Sequence, residues 1–222
     1  MITIKNESQI EKMRESASIL VEIMKGLKNE IKPGVKTKLF EERASKLVKQ
    51  RGLECSFKGV HDYPACTCTS INDEIVHVPP SERKLKKGDL FSLDMGVEFD
   101  NYHSDMAFTV GVGKVSSEKQ KLMRVTREAL MKGIEQVSPN NTLGDIGHAI
   151  QSYVGNEGYN VVEQLCGHGI GQEVHQDPQV LNKGEAGKGL QLEEGMVICL
   201  EPMVTLGSGE IKRTDDGHGF KT

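Results

Sequence analysis

The spacing of apolar residues changes several times along the chain, and each change predicts an element. Between residues about 7 and 29, Ile10, Met13, Ala17, Leu20, Val21 and Met24 recur at helical spacing. Lys32-Pro33-Gly34 ends that run. A second helix is expected from a Thr37 cap to about Gln50, with Leu39, Phe40, Ala44 and Leu47 along one side. Short strand-like runs fill about 53–98. Strict alternation then governs Phe91–Val110, FSLDMGVEFDNYHSDMAFTV, which reads as a β-hairpin. A charged helix follows over about 116–137 and is broken by Ser138-Pro139-Asn140-Asn141. The last helix covers about 143–155, with Ile146, Ile150 and Val154 on one side. Beyond it, glycine-rich loops alternate with short apolar runs, and no low-complexity linker divides the chain.

The two parts of this pattern echo each other. Helix, proline turn, helix and glycine occur from Pro33 to Gly52 and again from Pro139 to Gly158, at an offset of 106. Gly88-Asp-Leu-Phe-Ser-Leu-Asp94 and Gly195-Met-Val-Ile-Cys-Leu-Glu201 both run from glycine through a mostly apolar strand to a carboxylate, at an offset of 107. Two features at nearly one offset point to a duplicated α+β half.

The hairpin carries aspartates that strands ordinarily exclude. With Asp100-Asn101 as its turn, Phe91 faces Val110, Leu93 faces Phe108 and Met95 faces Met106, which makes one face apolar. The other face sets Asp94 opposite Ala107, Gly96 opposite Asp105 and Glu98 opposite His103. Asp94 and Asp105 are then diagonal neighbours, with β-carbons roughly 5–7 Å apart. Carboxylates this close repel unless a proton or cation lies between them. A solvated polar face is the competing reading, and the hairpin alone does not decide between them.

Other residues shift the balance. Glu201 closes the apolar run Met196–Leu200, where a buried carboxylate needs a strong partner. The loop Cys166-Gly-His168-Gly-Ile-Gly171 presents a histidine with little bulk around it, open to close approach by a metal or substrate. His175 follows, and His77 ends the run Glu74-Ile-Val. Carboxylates with one imidazole suit Mn, Co, Fe or Zn, and two carboxylates on one face permit a two-metal hydrolytic site.

Composition narrows the class. At 222 residues, 36% apolar and 27% charged, the chain is long enough for a real core and reads as soluble. A net charge of −4 gives no nucleic-acid or membrane footprint, and the N-terminus shows no apolar signal core. The five cysteines, Cys55, Cys66, Cys68, Cys166 and Cys199, read as small buried thiols in a reducing compartment.

The stretches SINDEIVHVPP, LDMGVEFDNYHSDMAFTV, CGHGIG and GMVICLEPM resemble the type I methionine aminopeptidases, in the short bacterial form. The resemblance implies the α+β "pita-bread" fold, with two pseudo-symmetric halves (about 1–112 and 113–222) around a curved antiparallel sheet in one catalytic domain. It implies a cytoplasmic, monomeric metallo-hydrolase that removes the initiator methionine from nascent polypeptides, with the ribosome as a candidate partner and two divalent ions as cofactors. Asp94, Asp105, His168 and Glu201 would hold the ions, and Asp105 would bridge them. His77 and His175 would act on the substrate, and Glu201 would also shuttle a proton. Phe57, Val60, Tyr63, Cys68 and Val174 would line the methionine pocket.

The chain also departs from that pattern. Val174 and His218 stand where the resemblance leads one to expect Phe and Trp. A fifth ligand, a bridging glutamate on a C-terminal strand, is expected roughly ten residues beyond Thr222, within a few residues. The chain therefore reads as an incomplete copy, with a weakened second metal site and little activity until such a segment is added. Two other readings stay open at this point: a non-catalytic protein of the same fold used for binding, and another peptidase of that fold cutting before proline or acting on creatine-like substrates.

Overall fold

A computed structural model describes residues 2–222. The first helix, α1 (Glu7–Lys28), starts at an Asn6–Gln9 capping box, in which each side chain bonds the other residue's backbone N–H. Then come α2 (Thr37–Gln50), β1 (Glu54–Cys55), β2 (Thr67–Ile71), β3 (Glu74–Val76) and the hairpin β4 (Leu90–Phe99) and β5 (Tyr102–Gly111). The second part holds α3 (Ser117–Ile134), α4 (Leu143–Asn156), β6 (Asn160–Val161), β7 (Cys166–Gly169), β8 (Gln176–Leu181), β9 (Val204–Thr205), β10 (Lys212–Arg213) and β11 (Phe220–Lys221).

β4 is the axis of the first half. β5 pairs along one edge, and β2 then β1 pair along the other, all antiparallel. The hairpin register is the expected one, with Phe91 opposite Val110 and Gly96 opposite Asp105. Asp100 and Asn101 turn it in the left-handed region, which Asn and Asp tolerate. Leu20, Ile23, Met24 and Leu27 of α1 and Phe40, Ala44 and Val48 of α2 cover the apolar face of β4 at Phe91, Leu93, Met95 and Val97. A second core joins Val125 and Ala129 of α3, Ile146, Ile150 and Val154 of α4, and Val180 of β8.

The sequence repeat returns as a repeat of backbone pairing. Lys36 bridges Lys84, and Thr142 bridges Gln191. Leu85 N–H bonds the Val35 carbonyl, and Leu192 N–H bonds that of Asn141. β1 meets β4 with Cys55 opposite Val97, and β6 meets β9 with Val161 opposite Val204. Gly52 and Gly158 both leave their helices at positive φ, where an L side chain is strained.

Three expectations are corrected. Thr37 is the first residue of α2 and caps nothing; its hydroxyl accepts from Ser81 N–H, tying the 81–85 segment to the helix. α3 stops at Ile134, because Gln136 and Val137 bond back three residues in a tightened turn. Cys55 and Cys66 are joined as a disulfide and are not free thiols. The reason is topological. β1 and β2 lie end to end along one edge of β4, so the chain leaves that edge at Cys55 and regains it at Cys66. Cys68, Cys166 and Cys199 are free. Among the described residues no helix is long and apolar enough to cross a membrane.

Candidate metal centre

Asp94 and Asp105 come from adjacent strands of one sheet, His168 from β7, and Glu201 from the run that follows Gly195. That run lies beside β7: Cys199 N–H bonds the His168 carbonyl at 2.7 Å and Ile170 N–H bonds that of Val197 at 3.1 Å. The glycines of the Cys166–Gly171 loop make this approach possible. A Cβ on Gly167 would lie 2.1 Å from the Cys199 carbonyl oxygen, and one on Gly169 would lie 2.1 Å from that of Asp177. Neighbouring backbone, rather than access for a ligand, therefore demands glycine there.

The four residues expected to hold metal line one cavity. His168 Nε2 lies 3.1 Å from Glu201 Oε1 and 3.5 Å from Asp105 Oδ2. Its Nδ1 sits 2.9 Å from the Gly169 carbonyl, which accepts the ring proton and leaves Nε2 aimed at the carboxylates. Asp94 Oδ1 and Glu201 Oε1 are buried with no hydrogen-bond partner, since His168 is near but not aligned. Burial first, and then the charges of Asp105 and Glu201, push the Asp94 carboxyl well above the carboxylate range. Burial disfavours a charged His168, yet Asp105 and Glu201 outweigh it and push its pKa up to about 10. Crowded carboxylates, orphaned oxygens and an imidazole drawn toward positive charge together make a cradle that a divalent cation fits.

The remaining expected residues border the same cavity of about 1260 Å³, which His77, His175, Phe57, Val60, Tyr63 and Cys68 line. Val174 packs behind it against Phe57, Tyr63 and Cys68. Tyr63 donates its hydroxyl proton to the Thr67 carbonyl, so the pocket wall presents carbon to the cavity. His175 stacks edge-on to His168 with ring centres 4.5 Å apart. Burial, then the neighbouring His168, lowers its pKa to about 4.

Two contributors escaped sequence reading. Glu41 of α2 accepts from Cys66 N–H and Thr67 N–H, which anchors the start of β2 beside the pocket. Its only signal was a carboxylate on a helix face, which ordinarily means solvent. Cys199 lies at the cluster itself: its sulfur, an Asp105 oxygen and a His168 nitrogen are all within 4.8 Å of one another. The signal for it was the spacing of two residues before Glu201 on an extended run, which places both on one face.

The sequence matches the family described as metallopeptidase family M24 over residues 11–219. The chain belongs to that family. It is 44% identical over 217 residues to the methionine aminopeptidase of Clostridium perfringens, covering 98% of this chain and 87% of that one. It is 42% identical to methionine aminopeptidase 1 of Bacillus subtilis, covering 97% and 87%. The fold matches the crystal structure of methionine aminopeptidase from Rickettsia prowazekii with a TM-score of 0.98 at 35% identity, over 100% of this chain and 90% of that chain. Prolidase from Pyrococcus horikoshii matches less closely, with a TM-score of 0.76 at 26% identity over 90% of this chain and 55% of that chain. The architecture is thus the pita-bread fold of M24 metallopeptidases, and the chain is a metallo-hydrolase of the methionine aminopeptidase type.

Proposed function

We propose that this protein removes the N-terminal methionine from nascent polypeptides, using two divalent ions held by Asp94, Asp105, His168 and Glu201 within one catalytic domain. The observation that carries this reading is the buried, unpartnered Asp94 Oδ1, with Asp105, His168 and Glu201 around the same cavity. A binding protein without catalysis has no physical use for an unpartnered buried carboxylate.

Bound ions would acidify a water molecule and polarise the scissile carbonyl. The protein's own residues do the rest. Phe57, Val60, Tyr63, Cys68 and Val174 receive the apolar methionine side chain, and Val174 sets the depth of that pocket. Glu201 Oε1 takes up the proton of the attacking water and passes it to the leaving amine. His175, neutral at physiological pH because its pKa is depressed, donates a hydrogen bond to the developing oxyanion. His77, beside Phe220 on the cavity wall, contacts the substrate near the scissile amide. Co, Mn, Fe and Zn all suit the set. The setting we propose is the cytoplasm, with the protein acting as a monomer on chains leaving the ribosome.

The test is a metal count on purified protein coupled to methionine release from Met-Gly and Met-Ala peptides. Release that rises with bound metal is expected. A fully metal-loaded protein that releases no methionine would sink the reading.

A further inference from the structure

The geometry points to Cys199 as an additional, sulfur donor of this metal centre, and we propose that its thiol biases the site toward ions that accept sulfur. The proposal rests on the metal-centre reading above and adds a ligand to it.

The position of the thiol comes first. Cys199 N–H bonds the His168 carbonyl, which fixes the two residues side by side on neighbouring extended segments. Glu201 lies two residues on, so both side chains leave the same face. The result is a triangle of Cys199 sulfur, Asp105 oxygen and His168 nitrogen with no side longer than 4.8 Å. On its other flank Cys199 packs against the apolar group of Met13, Tyr102 and Ile170, which limits where the sulfur can swing.

The thiol is also uncommitted. It forms no disulfide, and no hydrogen bond reaches its sulfur among the described residues. Its counterpart at the repeat offset of 107 is Ser92. The Ser92 hydroxyl is occupied, 2.7 Å from that of Thr109 on the adjoining strand β5. The independent sign that a cation belongs here is the buried, unpartnered state of Asp94 Oδ1.

Chemistry then sets the preference. Oxygen and imidazole donors already bind cobalt and zinc more tightly than manganese, and a sulfur donor widens that gap in favour of cobalt, zinc and cadmium. On coordination the S–H bond breaks, the proton goes to solvent and sulfur binds as thiolate.

The experiment uses the 222-residue chain stripped of metal and titrated with cobalt(II). A near-ultraviolet thiolate-to-cobalt charge-transfer band is expected. It persists in Cys68→Ser and Cys166→Ser and disappears in Cys199→Ser, whose visible cobalt bands show that the ion still binds. Cadmium affinity falls about tenfold or more in Cys199→Ser, while manganese affinity changes by less than about twofold. Cys199→Ala, with its fold checked by circular dichroism, guards against a serine-specific effect. Bound cobalt without a charge-transfer band in the unaltered chain, or cadmium affinity equal in both proteins, overturns the assignment and leaves the peptidase reading standing. A chain that binds no cobalt at all overturns both.

Discussion

Among the described residues, β4 reaches Asp94 paired with β2 and β5, whereas the run from Gly195 to Glu201 bonds to β7. The local pattern is the same: a glycine at positive φ, an apolar extended run, then a carboxylate. The surroundings differ. Phe91 and Leu93 are fully buried, while Ile198 and Leu200, their counterparts at the repeat offset, are partly exposed. Among the described residues, one motif used twice thus ends in carboxylates with different surroundings. Asn182 donates to the Glu201 carbonyl at 2.8 Å and so restrains the end of that run.

The comparison breaks most visibly at Asp105, which β5 sets diagonally from Asp94 across the hairpin. Asp105→Asn removes the charge that β5 contributes to the centre. We expect kcat/KM to fall at least about 10³-fold, about 4 kcal/mol of transition-state stabilisation, with loss of bound metal by elemental analysis. A fall of less than tenfold with metal content intact would show that the hairpin aspartates do not act as a pair.

Stability probes the two surroundings directly. Leu93→Ala removes a side chain with no exposed surface and should cost about 3–4 kcal/mol in urea unfolding. Leu200→Ala, at the equivalent place in the second half, should cost about 1 kcal/mol or less, because its site is already open. Equal losses would erase the distinction between them.

The disulfide sharpens the contrast further. Cys55 and Cys66 tie the first half's edge strands together, while the equivalent of Cys55 in the second half is Val161. Their separation of 11 residues sets the loop entropy, so Cys55→Ser should lower stability by about 2–3 kcal/mol under oxidising conditions. In reductant the two proteins should unfold alike. A thiol assay on unreduced protein that finds all five cysteines free would remove this difference between the halves.

What the sequence revealed divides along physical lines. The helices and the hairpin register were legible because periodicity and the Asp100-Asn101 turn act locally. The gathering of Asp94, Asp105, His168 and Glu201 at one cavity was legible because carboxylates on apolar strands conflict with their surroundings. The Cys55–Cys66 pairing was not, since it depends on two strands sharing one edge of β4, and composition favoured free thiols. Thr37 misled for a similar reason: a hydroxyl at a helix start normally caps, but here a distant segment claims it. Cys199 was passed over because a cysteine in an apolar run ordinarily packs as a small hydrophobe.

The smallest expected effect concerns the two histidines that face the cavity from opposite halves. Burial lowers the pKa of both His77 and His175, but His175 falls to about 4 because His168 stands beside it. A histidine whose folded pKa lies below its ordinary 6.5 favours the neutral form, so protonation favours the unfolded chain. Its penalty is absent above pH 6.5 and grows as pH falls through the window down to about 4. His175 opens onto solvent through the cavity, so screening keeps the loss below about 1 kcal/mol. His175→Gln should remove that part of the acid destabilisation of the metal-free protein, while His77→Gln removes less. The check is unfolding free energy at pH 7 and pH 5 for both variants, with His175 titrated by NMR. A His175 midpoint near 6.5, or an equal response from the two variants, would show that the pairing with His168 does not set the second half apart.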